Sequence, residues 1–362
     1  MTARTELAAM LRPAGGGLYV VSTGRAQQLA VQRQLYGVED EAAIQARFVA
    51  ALDKISSARA IVLGVPSDVG AGFRRGANLG PQAIRAALLA ADPGYRDWLD
   101  RRGIVDIGDV LVVPQLLHDE MLADSQLAAS RRALYGDPAS PLPVSPLSIE
   151  ERALDLCYQL NPKIVPVILG GDHSVAWPVA ANLARHRTDR WGIVQPDAHT
   201  DLLAERLGIK YCFATWSYHA NELLGRDGRL VQVGVRASRH DRAHWEQGLG
   251  VRQLWPDEIR ERPDAAIDGI IAHLRSLAVT SVYFSNDIDG TDECYAESTG
   301  TPETDGLTPE FVLALIARLG KEIGFCAADI VEVAPPLGPT PADTERTVAL
   351  AARYVRACLD AV

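Results

Sequence analysis

The sequence predicts an α/β protein in which a central, mostly parallel sheet is flanked by helices. Short runs rich in β-branched residues alternate with longer amphipathic segments from residue 58 onward. Most of these runs are apolar on both faces, which is typical of strands buried in a parallel sheet. Regular alternation of such strands with helices favours helical layers packed on the sheet.

Seven strands are predicted, and they cover residues 58–66, 103–113, 164–171, 191–197, 230–236, 281–287 and 324–333. Helices are predicted between them over residues 80–91, 148–160, 174–187, 256–278, 308–322 and 341–360. The Pro- and Ser-rich stretch 114–147 is predicted to be a long surface excursion. Residues 1–57 hold a Gly-rich break and a polar helical stretch, so we expect them to form an appended N-terminal extension.

Composition excludes several classes of protein. Hydrophobic residues make up 48% and charged residues 23% of 362 residues, as in ordinary globular proteins. The five cysteines are scattered without a Cys-x-x-Cys pair, which favours a reducing compartment and a cytoplasmic location. A net charge of −10 disfavours nucleic acid as a partner. No apolar run approaches the roughly 20 residues that span a bilayer, and the N-terminus does not resemble a signal peptide.

Three polar clusters directly follow three of the predicted strands. GGDHS lies at residues 170–174, DAHTD at 197–201 and SNDID at 285–289. Ligands of open α/β sheets bind in the crevice outside the carboxyl ends of the strands. We therefore expect these distant segments to converge on one site.

The clusters combine four carboxylates with two imidazoles. Alternate residues of an extended chain share a face, so Asp197, His199 and Asp201 can point into one crevice. Four neighbouring carboxylates repel one another unless cations lie between them, and two divalent metals would remove that conflict. Oxygen-rich ligation without thiolates favours Mn²⁺, with Ni²⁺ as the alternative. The predicted metal ligands are His173, Asp197, His199, Asp201, Asp287 and Asp289.

These clusters, with TGTPE (299–303), DIVEVAP (329–335) and LGVPSDVGAGFRRGANLGPQAIR (63–85), resemble the signatures of the ureohydrolase (arginase and agmatinase) family. The resemblance covers roughly residues 58–360. It implies a three-layer, arginase-like fold, a catalytic domain over residues 58–362 and a homo-oligomer, either a trimer or a hexamer. It also implies two metal sites, one formed by His173, Asp197, Asp201 and Asp287 and the other by Asp197, His199, Asp287 and Asp289.

The implied reaction is the hydrolysis of a small cationic guanidino compound to urea and an amine or ammonia. Two metals that share a water lower its pKa to near 7, so that hydroxide can attack the guanidinium carbon. Glu332 matches the glutamate that binds the guanidinium through charge-assisted hydrogen bonds. Asp201 would carry a proton from the attacking water to the departing nitrogen.

The segment that follows the second cluster departs from the family pattern. No His-Gly pair occurs there, and Cys212 lies near its expected place. His219 is a candidate proton shuttle, the alternative being a helix histidine with satisfied hydrogen bonds. Trp216 and Tyr295 are candidate substrate-binding residues that would contact a compact cation through their rings, or else they are ordinary packing residues. These departures favour the guanidine hydrolase-like branch, with guanidine, a substituted guanidine or a biguanide as substrate.

Other functions remain open from the sequence. Within the same class, the substrate would be agmatine or a guanidino acid. A deacetylase with an arginase-like fold would use a single metal, whereas His173 and Asp289 occur together here and argue for two. A non-catalytic subunit would have no need for an intact set of ligands.

Overall fold

The computed structural model describes residues 2–362. Within them, nine strands form one sheet: Leu11–Arg12 (β1), Ala60–Val65 (β2), Ile104–Val110 (β3), Val165–Gly170 (β4), Trp191–Pro196 (β5), Leu230–Val233 (β6), Arg252–Leu254 (β7), Ser281–Asp287 (β8) and Phe325–Val331 (β9). Their order is β1-β3-β2-β4-β9-β8-β5-β6-β7. All pairings are parallel except that of β1 with β3.

Helices cover both faces of this sheet. Their bounds are Ala3–Met10 (α1), Arg25–Tyr36 (α2), Glu41–Asp53 (α3), Gly80–Ala91 (α4), Tyr95–Arg102 (α5), Asp124–Tyr135 (α6), Pro146–Leu160 (α7), Ala176–His186 (α8), Trp216–Leu224 (α9), Arg242–Leu249 (α10), Pro256–Glu261 (α11), Pro263–Ser276 (α12), Pro309–Glu322 (α13) and Pro341–Ala361 (α14). One core cluster lies under α2, α4, α5 and α11 to α14. The other lies under α1, α3 and α7 to α9, so the predicted three-layer α/β fold is confirmed.

The predicted elements recur with a few differences that have local causes. Each of the seven predicted strands is present, whereas β1 and β7 were missed because two or three residues are too short to show a period. The predicted helix 256–278 is divided into α11 and α12, because Pro263 disfavours helical backbone at the residue before it. The excursion 114–147 lies at the surface but contains α6, whose C-terminal end is capped by Gly136 in the left-handed conformation.

The N-terminal residues are not an appendage, which corrects the expectation from the sequence. Leu7, Met10 and Phe48 are fully buried in the core cluster that also contains residues of β2, β3 and α7. Strand β1 pairs with Asp109 and Val110 at the end of β3, on what would otherwise be an open edge of the sheet. The extension therefore contributes to the hydrophobic core, while the boundary at residue 58 stays a prediction.

None of the helices described within residues 2–362 combines the length and the apolar character that crossing a bilayer requires. The five cysteines are all free thiols.

Candidate metal centre and active site

Four adjacent strands at the middle of the sheet bring the polar segments together. In the order β4-β9-β8-β5, their carboxyl ends lead into GGDHS, the Glu332 segment, SNDID and DAHTD, respectively. Gly171 allows the GGDHS segment to lie directly against the backbone of Ser67, because a side chain at residue 171 would clash with the Ser67 carbonyl oxygen. The expected convergence of the three clusters is thus observed, and β9 adds a fourth segment.

The first group of candidate ligands surrounds the imidazole of His173. Its Nδ1 atom lies 3.2 Å from Asp201 Oδ2 and 3.3 Å from the Oδ2 atoms of both Asp197 and Asp287. His173, Asp197 and Asp201 meet the distance requirements for holding one metal ion. All four side chains are buried.

The second group shares Asp197 with the first. His199 Nδ1 lies 3.2 Å from Asp289 Oδ2 and 3.7 Å from Asp197 Oδ1, and these three residues can also hold an ion. Asp289 lies in a 3₁₀ turn just after β8. Its backbone N–H donates to Asp287 Oδ1 at 2.9 Å. The role expected of Asp287, a ligand shared by both metals, stays a prediction.

The DAHTD segment is not fully extended, whereas the sequence predicted an extended chain whose alternate residues share a face. Asp201 has a φ of 51° and Glu332 has a φ of 60°, both in the left-handed region. Non-glycine residues in this region cost about 1–3 kcal/mol and concentrate at functional sites. The bend at Asp201 still directs its carboxylate toward His173, so the six predicted ligands come together by a different backbone path.

The surroundings of His173 Nδ1 match the requirements of a cation site. This atom is buried and has no hydrogen-bond partner among the described residues. A single N–H cannot serve three carboxylate oxygens at nearly equal distances, whereas a cation attracts all of them. The donor set therefore fits a divalent metal.

The charges of the candidate ligands lead to the same conclusion. Burial alone would lower the pKa of His199, but the Asp289 and Asp197 carboxylates raise that pKa to about 12. Burial would also lower the pKa of His173, and its contacts with Asp197 and Asp201 raise it well above the usual range. Burial raises the pKa of Asp287, and the Asp289 and Asp197 carboxylates raise it further. The clustered carboxylates thus favour positive charge at this site, which divalent metal ions would supply when bound.

Glu332 lies beside the first group and is oriented by the backbone. Its Oε1 atom accepts a 2.9 Å hydrogen bond from the N–H of His173. A Cβ atom added at Gly300, in TGTPE, would lie 3.9 Å from Glu332 Oε2, so this oxygen faces the TGTPE loop. Burial, followed by the charge of Asp287, raises the pKa of Glu332 well above its usual range. A cationic ligand would favour the ionised carboxylate.

A second layer of hydrogen bonds holds the candidate ligands, and the sequence reasoning missed it. His173 Nε2 lies 3.0 Å from Ser285 Oγ, which in turn donates to Asp329 Oδ1 at 3.0 Å. Thr301 Oγ1 donates to Asp289 Oδ2 at 2.9 Å. Ser285 could have been identified, since it lies two residues before a predicted ligand on the same strand face. Partners of this kind fix the tautomer and the orientation of metal-binding histidines.

Trp216 does not form a wall of the substrate pocket, which corrects the predicted role. Its side chain has no exposed surface and packs 4.6 Å from the His173 ring, measured between centroids. Its indole Nε1–H donates to Asp201 Oδ2 at 3.1 Å. Trp216 therefore supports a candidate ligand from behind.

Tyr295 and His219 lie apart from the candidate ligands. Tyr295 lines a separate cavity of about 320 Å³ between α11 and α13, whose lining residues include none of the six. His219 Nε2 lies 3.0 and 3.1 Å from the carbonyl oxygens of Ala204 and Lys210, and its ring packs against Tyr211. Among the described residues, these contacts match a satisfied helix histidine and do not reach the metal centre.

A three-layer α/β fold with two overlapping His/Asp groups at the carboxyl ends of adjacent strands defines a class of metal-dependent hydrolases. The model of the arginase family matches residues 58–360, and the chain belongs to this family. It is thus a metal-dependent C–N hydrolase of the ureohydrolase class, as the sequence motifs predicted.

Individual relatives are similar over most of their length. A mitochondrial agmatinase of Gallus gallus is 33% identical over 76% of this chain and 74% of its own. A guanidinobutyrase of Pseudomonas aeruginosa is 31% identical over 80% of this chain and 82% of its own. The solved structure of agmatine ureohydrolase of Thermoplasma volcanium has a TM-score of 0.63 and 25% identity, and the match covers 85% of this chain and 90% of that one.

Proposed function

We propose that this chain hydrolyses a small cationic guanidino compound and releases urea together with an amine or ammonia. The observation that carries the proposal is the position of Glu332. Its backbone is held in a left-handed conformation, and its carboxylate lies within hydrogen-bond reach of the backbone of a candidate metal ligand, His173. A buried carboxylate beside a cation centre suits a planar guanidinium, which can donate two parallel hydrogen bonds to it.

Two divalent ions are the proposed cofactors. His173, Asp197, Asp201 and Asp287 would hold one, and Asp197, His199, Asp287 and Asp289 would hold the other. When bound, such ions act as Lewis acids and lower the pKa of water. Mn²⁺ and Ni²⁺ both suit these oxygen and imidazole ligands.

The protein's own side chains have distinct proposed tasks. Glu332 orients the substrate cation, while Asp201 accepts a proton from the attacking water and passes it to the departing nitrogen. Burial and then the Asp197 carboxylate raise the pKa of Asp201 to about 6, and a bound cation would favour the ionised carboxylate that can accept a proton. The indole N–H of Trp216 holds the Asp201 carboxylate in place.

The favoured substrate is guanidine itself, a small substituted guanidine or a biguanide. The departures after the second cluster support this choice, whereas relatives named agmatinase and guanidinobutyrase support the alternative of agmatine or a guanidino acid. Urea release should be measured with guanidine, methylguanidine, biguanide, agmatine and 4-guanidinobutyrate, after loading with Mn²⁺ or with Ni²⁺. Turnover of the last two alone would overturn the favoured substrate.

Glu332→Gln provides the matched control for this assay, because it keeps the side-chain shape but removes the charge. We expect kcat/KM to fall by roughly 10- to 150-fold, which corresponds to a charge-assisted hydrogen bond of about 1.5–3 kcal/mol. Absence of urea from every substrate, in a chain that binds two metals, would contradict the proposed function. Binding of one metal with amide hydrolysis would instead support a deacetylase, and unchanged function after Asp289→Asn would support a non-catalytic subunit.

We further propose a cytoplasmic homo-oligomer, a trimer or a hexamer, without a nucleic-acid partner. Five free thiols fit a reducing compartment, and the net charge of −10 disfavours nucleic acid. Tyr19, Val21 and Phe73 are 82%, 79% and 92% exposed, and contact with a neighbouring subunit would bury them. Light scattering coupled to size exclusion would determine the assembly, and a monomer would contradict it.

A further inference from the structure

Three buried glutamines lie side by side across neighbouring strands next to the candidate metal centre. The backbone register aligns Gln195 on β5 with Gln232 on β6, and Gln232 with Gln253 on β7. None of the three has exposed surface. Apolar side chains would fill these positions without needing hydrogen-bond partners, so three buried amides call for an explanation.

The amides form one continuous chain of hydrogen bonds that ends on a candidate ligand. Gln253 Nε2 donates to Gln232 Oε1 at 2.8 Å, and Gln232 Nε2 donates to Gln195 Oε1 at 2.9 Å. Gln195 Nε2 then donates to Asp197 Oδ2 at 2.7 Å. Asp197 is the carboxylate shared by both groups of ligands.

Groups outside this chain of hydrogen bonds fix the orientation of its three amides. The indole N–H of Trp255 can only donate, and it donates to Gln253 Oε1 at 3.1 Å. The carbonyl oxygen of Thr200 can only accept, and it accepts from Gln232 Nε2 at 2.5 Å. Because both N–H groups of Gln232 are used as donors, Gln195 must present its oxygen to Gln232 and its N–H to Asp197. Ser217 Oγ also donates to that oxygen of Gln195, at 2.8 Å.

We propose that Gln195, Gln232 and Gln253 are positioning residues that hold Asp197 and the Thr200 carbonyl in the arrangement that binds metal. Hydrogen bonds aligned in one direction polarise and strengthen one another. The Gln195 N–H that donates to Asp197 is therefore strengthened. The hydrogen bond from Gln232 to the Thr200 carbonyl restrains the residue just before the left-handed bend at Asp201. This inference rests on the proposed metal centre.

Metal affinity tests this assignment directly. Chelator-treated, metal-free chains should be titrated with Mn²⁺ in a calorimeter for the wild type and for Gln195→Met, Gln253→Met and the double variant. Gln28→Met is the matched control, because Gln28 is also buried and its amide donates to the carbonyl oxygen of Leu18, outside the glutamine chain. Thermal unfolding of each metal-free chain provides the structural reference.

We expect Gln195→Met to weaken Mn²⁺ binding by about 10- to 100-fold, as loss of an outer-layer partner commonly does. Gln253→Met, two strands away, should weaken it by about 2- to 5-fold. The double variant should lose less affinity than the two single losses combined, because part of the effect of Gln253 passes through Gln195. Gln28→Met should retain wild-type affinity, even if its unfolding temperature falls as much as that of the other variants.

Wild-type affinity in either Gln195→Met or Gln253→Met would overturn the proposal, as would additive losses in the double variant or an equal loss in Gln28→Met. Should Gln195→Met not fold, the comparison of Gln253→Met with Gln28→Met decides the question by itself. A wild-type chain that binds neither Mn²⁺ nor Ni²⁺ would overturn the proposed function together with this assignment. A wild type that binds two ions, with variants that bind them equally well, would overturn this assignment alone.

Discussion

Trp216→Phe separates two roles for this aromatic side chain. The substitution retains a ring that can pack on His173 but removes the indole N–H that donates to Asp201 Oδ2 at 3.1 Å. A hydrogen bond to a charged acceptor contributes about 1.5–3 kcal/mol. If the proton transfer through Asp201 depends on that bond, the rate falls by roughly 10- to 150-fold.

The assay is steady-state kinetics with the substrate that gives the fastest urea release. Because Trp216 has no exposed surface, we expect the loss to appear in kcat while KM stays near the wild-type value. Trp177→Phe removes the same atoms from a ring that stacks on Tyr211 at 4.6 Å and serves as the matched control. Its kinetic constants should change by no more than about 2-fold.

A raised KM with unchanged kcat in Trp216→Phe would refute this reasoning. That pattern is expected of a side chain that binds substrate and transition state equally. Such a result would support the sequence-based prediction that the Trp216 ring contacts the substrate.

Three other measurements test the metal centre and the core. Asp289→Asn removes an anionic ligand from the second group only, so metal content should fall from about two ions to about one per chain, and two ions in the variant would contradict the assignment. Burial would lower the pKa values of His173 and His199, but the neighbouring carboxylates raise both and so favour the protonated imidazoles in the absence of a bound cation. Metal binding should therefore release protons, seen as a buffer-dependent binding enthalpy, and should weaken as pH falls; an enthalpy independent of buffer would exclude this linkage. Leu7→Ala should lower the free energy of unfolding by about 2–5 kcal/mol, against about 0.5 kcal/mol for Leu223→Ala, whose side chain is 43% exposed on a helix. Equal losses would show that the N-terminal extension is not part of the core.

Local pattern was sufficient for the framework of the fold and for the six candidate ligands. Buried parallel strands leave a continuous apolar run in the sequence, and the carboxyl end of each run is visible as an abrupt change to polar residues. His173, Asp197 and Asp287 all lie within a few residues of such an end. Their meeting in space follows from the parallel arrangement of the strands, without knowledge of individual side-chain conformations.

Features that depend on two or more distant segments could not be obtained in this way. The direction in which Trp216 points depends on how α9 packs against His173, and an amphipathic helix allows its aromatic residues to face either the core or a pocket. Leu7 is buried because α1 packs against α3 and α7, which are distant from it in sequence, and β1 is too short to leave a periodic pattern.

The sequence by itself predicted which residues are candidate metal ligands, because ligand chemistry belongs to each side chain and the strand ends are local features. Only the tertiary structure decided how those ligands are supported. Gln195, Gln232 and Gln253 are far apart along the chain, and each alone is an ordinary polar residue in a strand. Their hydrogen bonds exist because the register of three strands places the amides in one row, and register is a property of the assembled sheet.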